Sequence, residues 1–194
     1  MRREQALKLL HENMQNINLR KHCYAVEAVM GALYDRLEDG NKSDTEREKW
    51  KIAGLLHDAD YELTKETAKT EHTKQVLKWL KELEASTDIY DAIAAHAWGY
   101  VGFAPEPKTK MQWALYTCDE LTGLIVAVAL VRPDEKLASV TTDSVQKKWN
   151  TSSFAAGANR KQIEECESRL GIPLVEFIQI ALTAMQAIHE DLGL

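Results

Sequence analysis

Six side chains of the kinds that bind divalent metals fall in apolar or amphipathic surroundings: His22, His57, Asp58, His72, His96 and Asp119. Imidazole nitrogen and carboxylate oxygen together suit zinc, iron, manganese and related ions. The closest pairing is the run Ile52-Ala53-Gly54-Leu55-Leu56-His57-Asp58-Ala59-Asp60, an apolar stretch that ends in an imidazole and a carboxylate side by side. Two adjacent residues reach one ion only where a helix terminates and its backbone reorients. Asp119 lies a turn after Leu115 and a turn before Thr122 and Gly123, on a helical pattern with little polar surface. An unpaired ionised carboxylate there would cost several kcal/mol or take up a proton. The nearest cations on that pattern, Lys110 and Arg132, are more than two turns away. A divalent ion shared with histidines is the economical compensation.

His22 shares a helix face with Val26, Val29 and Leu33 and should point inward. A lone histidine in that position is most often a core residue bonded to a carbonyl, but this one has company. His72, between Glu71 and Thr73 near a helix start, reads equally well as exposed, and His96 follows Ala92 and Ile93 and precedes an aromatic loop. His11, in an amphipathic N-terminal segment, and His189, near the last helix end, stay outside the set.

The elements that must position these groups are all helical. Ala6, Leu7, Leu10 and Met14 predict a short helix over 3–14, and Leu19, Cys23, Val26, Met30, Leu33 and Leu37 predict a longer one stopped by Asp39-Gly40-Asn41. Ser43 or Asp44 caps a helix that delivers His57 and Asp58 at its C-terminal end. Residues 61–69 read as a polar loop or a weak turn of helix, 71–83 as an amphipathic helix carrying His72, and Ser86 or Thr87 caps a helix that reaches His96. Gly99, Gly102, Pro105 and Pro107 make 99–108 a loop, and Trp98, Tyr100 and Phe103 make it aromatic and suited to walling a pocket. Residues 110–132 form the longest pattern, almost uniformly apolar from Leu121 to Val131, hence a central buried helix ended by Pro133. Beyond it, Thr142 caps a helix through Trp149, Ser152 or Ser153 caps another short helix through Ala156, and Asn159 with Gln162 forms a capping box for a helix to Leu170, with Gly171 just past its end. Pro173 opens a last helix through Ile188. No strand pattern of useful length is present, so the expected fold class is all-α, in one domain over 1–194.

A chain of 194 residues can bury a core without staples, and 45% apolar with 28% charged residues is a globular composition. A net charge of -6 argues against long nucleic acid as a partner. The N-terminus lacks the apolar run of a secretory signal, and the longest apolar run, 124–131, is too short to span a bilayer. No membrane partner and a cytoplasmic location are expected, and three widely spaced cysteines, Cys23, Cys118 and Cys166, suit reduced thiols.

A helix-borne His, then a His-Asp doublet closing an apolar helix, then a distal helix-borne Asp resembles the HD superfamily of metal-dependent phosphohydrolases. The resemblance covers roughly 15–130, with 131–194 as a helical extension that would cover the site or supply a homodimer face. It implies that His22, His57, Asp58 and Asp119 bind a divalent metal: Mn, Fe, Co, Ni, Zn or Mg. The order of His72 and His96 resembles HD subgroups that hold two ions, with Asp58 bridging; otherwise the pair would contact substrate phosphate or act as a general acid. Asp60 and Glu62 are candidates for orienting the attacking water or a ligand histidine, alongside Asp58 as proton acceptor. Some HD nucleotidases carry a catalytic Glu three residues past the doublet, where this sequence has Tyr61, and Ala59-Asp60 replaces the familiar Ile-Gly. Lys21, Arg132 and Lys136 are the candidate phosphate-binding cations. The run from Asp119-Glu120-Leu121-Thr122-Gly123 to Val131-Arg132-Pro133, with Ser153-Phe154-Ala155-Ala156-Gly157, resembles a small subgroup of HD hydrolases and implies no particular substrate. The expected activity is hydrolysis of a small phosphorylated molecule, a nucleotide first, by metal-activated water. The alternatives are a dinuclear-iron HD oxygenase and a non-catalytic signalling or scaffold module.

Overall fold

The computed structural model describes every residue except Asp39, Asn41 and Ser152, so the helix stop expected at those first two positions and the Ser152 cap lie outside the described residues. The protein is all-α; among the described residues the only β contact is an isolated bridge between Trp98 and Val101. The helices are α1 (Arg3–Asn13), α2 (Ile17–Leu37), α3 (Asp44–Leu56), α4 (Tyr61–Thr64), α5 (Ala68–Glu71), α6 (Lys74–Glu82), α7 (Thr87–His96), α8 (Lys110–Leu130), α9 (Thr142–Trp149), α10 (Arg160–Leu170), α11 (Leu174–Gln186) and α12 (His189–Leu192), with short 3-10 turns at Lys65–Thr67 and Leu137–Ser139.

Local chemistry sets most helix starts. The Asn16 side chain accepts from the N–H groups of Asn18 and Leu19, Ser43 from Glu46, and Ser86 from Asp88, and Thr109 with Gln112 forms a reciprocal capping box on α8. Some expected starts differ. Thr141 rather than Thr142 caps α9, because its hydroxyl is the one that reaches the Ser144 N–H. Residues 153–157 make turns, not the expected helix through Ala156. The stretch after the His-Asp doublet is more ordered than a polar loop, with α4, a 3-10 turn and α5 in succession.

The core is built by α2, α3, α7 and α8. Helix α8 is fully covered along Leu115, Cys118, Leu121, Leu124 and Ile125. It is long and apolar enough to cross a membrane, but 67% of its apolar window is buried inside the protein, as expected of the central helix. Helices α10 and α9 pack on α8, and α11 and α12 pack on α2, so the C-terminal extension covers the core from two sides.

Helices α2 and α3 approach closely at Gly54. A Cβ there would lie 2.8 Å from the Val26 carbonyl oxygen and 2.9 Å from the Glu27 nitrogen, both rigid backbone atoms. Gly54 thus sets the spacing between the helix that carries His22 and the helix that delivers the doublet. Replacing it by Ala should force the helices apart and destabilise the protein by about 1–3 kcal/mol, read as a shifted midpoint in urea unfolding. An unchanged midpoint would mean that the close approach is not a constraint.

Candidate metal centre

Helix α3 ends at Leu56, and tight turns from Ala59 N–H to the Leu56 carbonyl and from Tyr61 N–H to the Asp58 carbonyl reverse the chain there. The doublet therefore splits: His57 faces α2 and α8, while Asp58 sits between two pairs of histidines. Asp58 Oδ2 is 3.6 Å from His57 Nε2 and 3.8 Å from His22 Nε2, and Oδ1 is 3.2 Å from His72 Nε2 and 3.5 Å from His96 Nε2. Asp119 joins the first pair, its Oδ1 lying 2.9 Å from His22 Nε2 and 3.4 Å from His57 Nε2. Two donor groups result: His22, His57 and Asp119 form one, and Asp58, His72 and His96 the other.

The second ring nitrogen of each histidine is held by an acceptor. His57 Nδ1 faces the Gly54 carbonyl at 2.8 Å and His96 Nδ1 faces the Ile93 carbonyl at 2.6 Å. Both carbonyls belong to the last turn of a helix, where they lack an intrahelical partner, so one bond satisfies the helix end and fixes the imidazole. His72 Nδ1 faces Asp60 Oδ1 at 3.2 Å, and His22 Nδ1 faces the Thr122 hydroxyl, which itself donates to the Asp119 carbonyl. A neutral imidazole held this way carries its proton on Nδ1 and its lone pair on Nε2. The Nε2 atoms nevertheless meet in pairs, His22 with His57 at 3.2 Å and His72 with His96 at 3.1 Å. Facing lone pairs beside two carboxylates call for cations, and this donor set fits one or two divalent ions.

Without an ion, protons take that role. Burial disfavours charge on His57, but Asp58 and Asp119 outweigh it and raise the imidazole to about 9. His72 is likewise pushed down by burial and raised further by Asp58 and Asp60, to about 10. Burial and the neighbouring imidazoles lower His96. Both aspartates are held below the usual carboxylate range: burial opposes ionisation, and the facing histidines, His57 foremost, prevail.

Asp60 does not face the open site. It is fully buried, and besides His72 Nδ1 its carboxylate accepts from the N–H groups of Thr73, Gln75 and Val76. Gln75 and Val76 are the second and third residues of α6, so Asp60 supplies from a distance the cap that Thr73 does not. That corrects the expected helix over 71–83: His72 ends the preceding turn, Thr73 is left-handed at φ 72, and α6 begins only at Lys74. Of the two roles expected for Asp60, the geometry leaves that of orienting a histidine.

Glu62 is placed outside the cavity lining. Its carboxylate accepts from the N–H groups of Gln15 and Asn16, in the link between α1 and α2, away from the six donors. The three expected phosphate-binding cations are elsewhere too. Lys21 reaches toward Gly193, Arg132 donates to Ser139, and exposed Lys136 follows in the same turn.

The donors open into a cavity of about 700 Å³ whose walls include Tyr61, Trp98, Tyr100, Tyr116, Glu120 and Gly123, with Ala155, Gly157, Ala158, Asn159 and Gln162 from the extension. The aromatic loop contributes Trp98, Gly99 and Tyr100, whereas Phe103 lies outside under Lys74. Glu120 was not singled out by the sequence reading, although it directly follows Asp119. Burial, then the Asp119 charge, pushes its carboxyl up to about 7 while it accepts from the Asn159 N–H at 3.1 Å.

A model of the HD domain family matches residues 19–129, more than half of the chain. The protein belongs to the HD domain family. HD domains bind divalent metals and are commonly metal-dependent phosphohydrolases. A comparison with curated proteins finds no match.

With His57 at about 9 and His72 at about 10, loading at pH 8 should release about two protons per chain, and fewer as the pH passes 10. Calorimetry in buffers of different ionisation heat measures this. In the metal-free chain the stabilisation from these raised histidines is complete below about pH 6.5 and is lost as pH rises through 9 to 10. Stability that stays flat or climbs across that window would contradict the charge pairing. Asp60→Asn, which keeps the volume but weakens the hold on His72, should lower metal affinity roughly 10–100-fold; an unchanged affinity would leave Asp60 a purely structural cap.

Proposed function

We propose that this chain is a metal-dependent phosphohydrolase of small phosphorylated molecules, nucleotides first, with a two-ion centre bridged by Asp58. The observation that carries the reading is the sharing of one carboxylate between two histidine pairs whose free nitrogens converge. His22, His57 and Asp119 would hold one ion, and His72 and His96 the other. A divalent ion with open positions lowers the pKa of bound water and neutralises phosphoryl charge.

The chain's own groups supply orientation and proton handling. Gly54, Ile93, Thr122 and Asp60 fix the four imidazoles, which limits reorganisation during a reaction. Asp58 and Asp119 are the carboxylates nearest the reacting region, and Glu120, on the cavity wall, is placed to take or give a proton to a group bound there. The turns at 153–157 and the start of α10 cover one side of the cavity and reduce its access to water.

Metal content of protein purified without chelator, measured by mass spectrometry, tests the centre. About two equivalents are expected, with both reduced in Asp58→Ala and one retained in His96→Ala. The loaded protein should release phosphate from p-nitrophenyl phosphate and from members of a nucleotide panel. The same six donors suit a pair of irons, so oxygen uptake by the iron-loaded protein without phosphate release would select the oxygenase reading. No metal even after reconstitution would reject both.

A further inference from the structure

We propose that the cavity selects a phosphomonoester whose organic part presents a flat ring, and turns away di- and triphosphates. This rests on the phosphohydrolase reading above. Among the described residues, the cavity wall contains no Lys or Arg. Its charged side chains besides the histidines are Asp58, Asp119 and Glu120. The neighbouring cations are committed elsewhere. The Arg160 guanidinium donates to the carbonyls of Phe154, Ala155 and Ala158, Arg169 lies 4.3 Å over Trp113, and Lys148 lies 5.0 Å over Phe154.

The charge count follows. Two divalent ions would bring four positive charges against three carboxyls, an excess of about one to two that a phosphomonoester dianion covers. Further phosphates would carry more negative charge toward Glu120 with no side-chain cation to receive them, where low-dielectric walls magnify repulsion. The organic part meets ring faces instead. Tyr61 and Tyr100 stand edge-on to His72 at 5.6 and 6.2 Å, and Trp98 packs on Tyr116 at 5.6 Å, which stiffens the opposite wall. Tyr100 is 48% exposed, so its ring stands at the cavity rim with area left for a ligand.

The test is calorimetric binding to the metal-loaded protein of two slowly hydrolysed probes, adenosine 5′-thiomonophosphate and adenosine 5′-(3-thiotriphosphate), at equal free metal. The monothiophosphate should bind at least about ten-fold more tightly. Tyr100→Ala should weaken it about ten-fold and leave inorganic thiophosphate binding unchanged. Gly123→Lys adds a cation where a Cβ meets open space, and should narrow or reverse the preference. Equal or tighter binding of the triphosphate analogue, or no binding of either, overturns the proposal. Turnover of esters with a triphosphate preference would keep the hydrolase and reject this selectivity. A monothiophosphate preference without turnover of any ester would keep the selectivity and reject the hydrolase.

Discussion

The site depends on one largely covered carboxylate placed among four imidazoles. Asp58 has side-chain exposure of only 16%, and His57 has none. A carboxylate so placed must be protonated or compensated, and its compensation comes from imidazoles on four separate segments, two of which a second carboxylate on a fifth segment shares. His22 arrives on α2, His57 at the end of α3, His72 after α5, His96 at the end of α7 and Asp119 on α8. Each helix therefore has its place fixed by a shared electrostatic requirement as well as by apolar packing, and Gly54 provides the close approach that brings the first two segments into reach.

Helix ends do much of the positioning. His57 and His96 each close a helix and each turn Nδ1 back onto a carbonyl three residues earlier. An orphan carbonyl is an obligation that any helix terminus carries, so the bond that orients a ligand also settles a backbone debt the fold already had. The extension uses the complementary end of a helix. In α10 the Asn159 side chain caps Gln162, but the returning half of the expected capping box is replaced: Gln162 donates to the Tyr116 carbonyl, and the Asn159 N–H goes to Glu120. The two bonds tie α10 to α8 beside the cavity. Arg160 holds the turns that precede them through three carbonyls.

Much of this was legible in the residues because burial and charge conflict visibly in one dimension. Asp119 inside an apolar helix, and His57-Asp58 at the close of another, are local contradictions that only a partner resolves, and the structure brings those residues together with His22. His72 and His96 were ambiguous alone, since their meaning lies in a 3.1 Å meeting across 24 residues that no spacing encodes. Glu62 and the three basic residues are not brought to the six donors, for the converse reason. Nearness to the doublet in sequence, or positive charge near a helix end, says nothing about which neighbouring segment the side chain will meet. Glu120 was hidden beside its more conspicuous neighbour, because its burial on the cavity wall comes in part from a segment 39 residues away, whose Asn159 N–H it accepts.

Asp60 explains why periodicity failed where it did. Val76, Leu80 and Leu83 keep helical spacing back to His72, so the pattern favours a helix that includes the histidine. Had it done so, the His72 ring would have had the orientation of a helix face and not that of a chain reversal. Instead Asp60 binds the N–H groups of Thr73, Gln75 and Val76 together, holding a β-branched residue in the left-handed region at a cost of roughly 1–3 kcal/mol. Thr73 is fully buried there with its hydroxyl unpartnered among the described residues, a second local cost. Both are offset by a carboxylate that accepts four hydrogen bonds, one of them from the imidazole. Strain concentrated in the residue next to His72 is what lets a helix begin late enough for that histidine to turn toward Asp58.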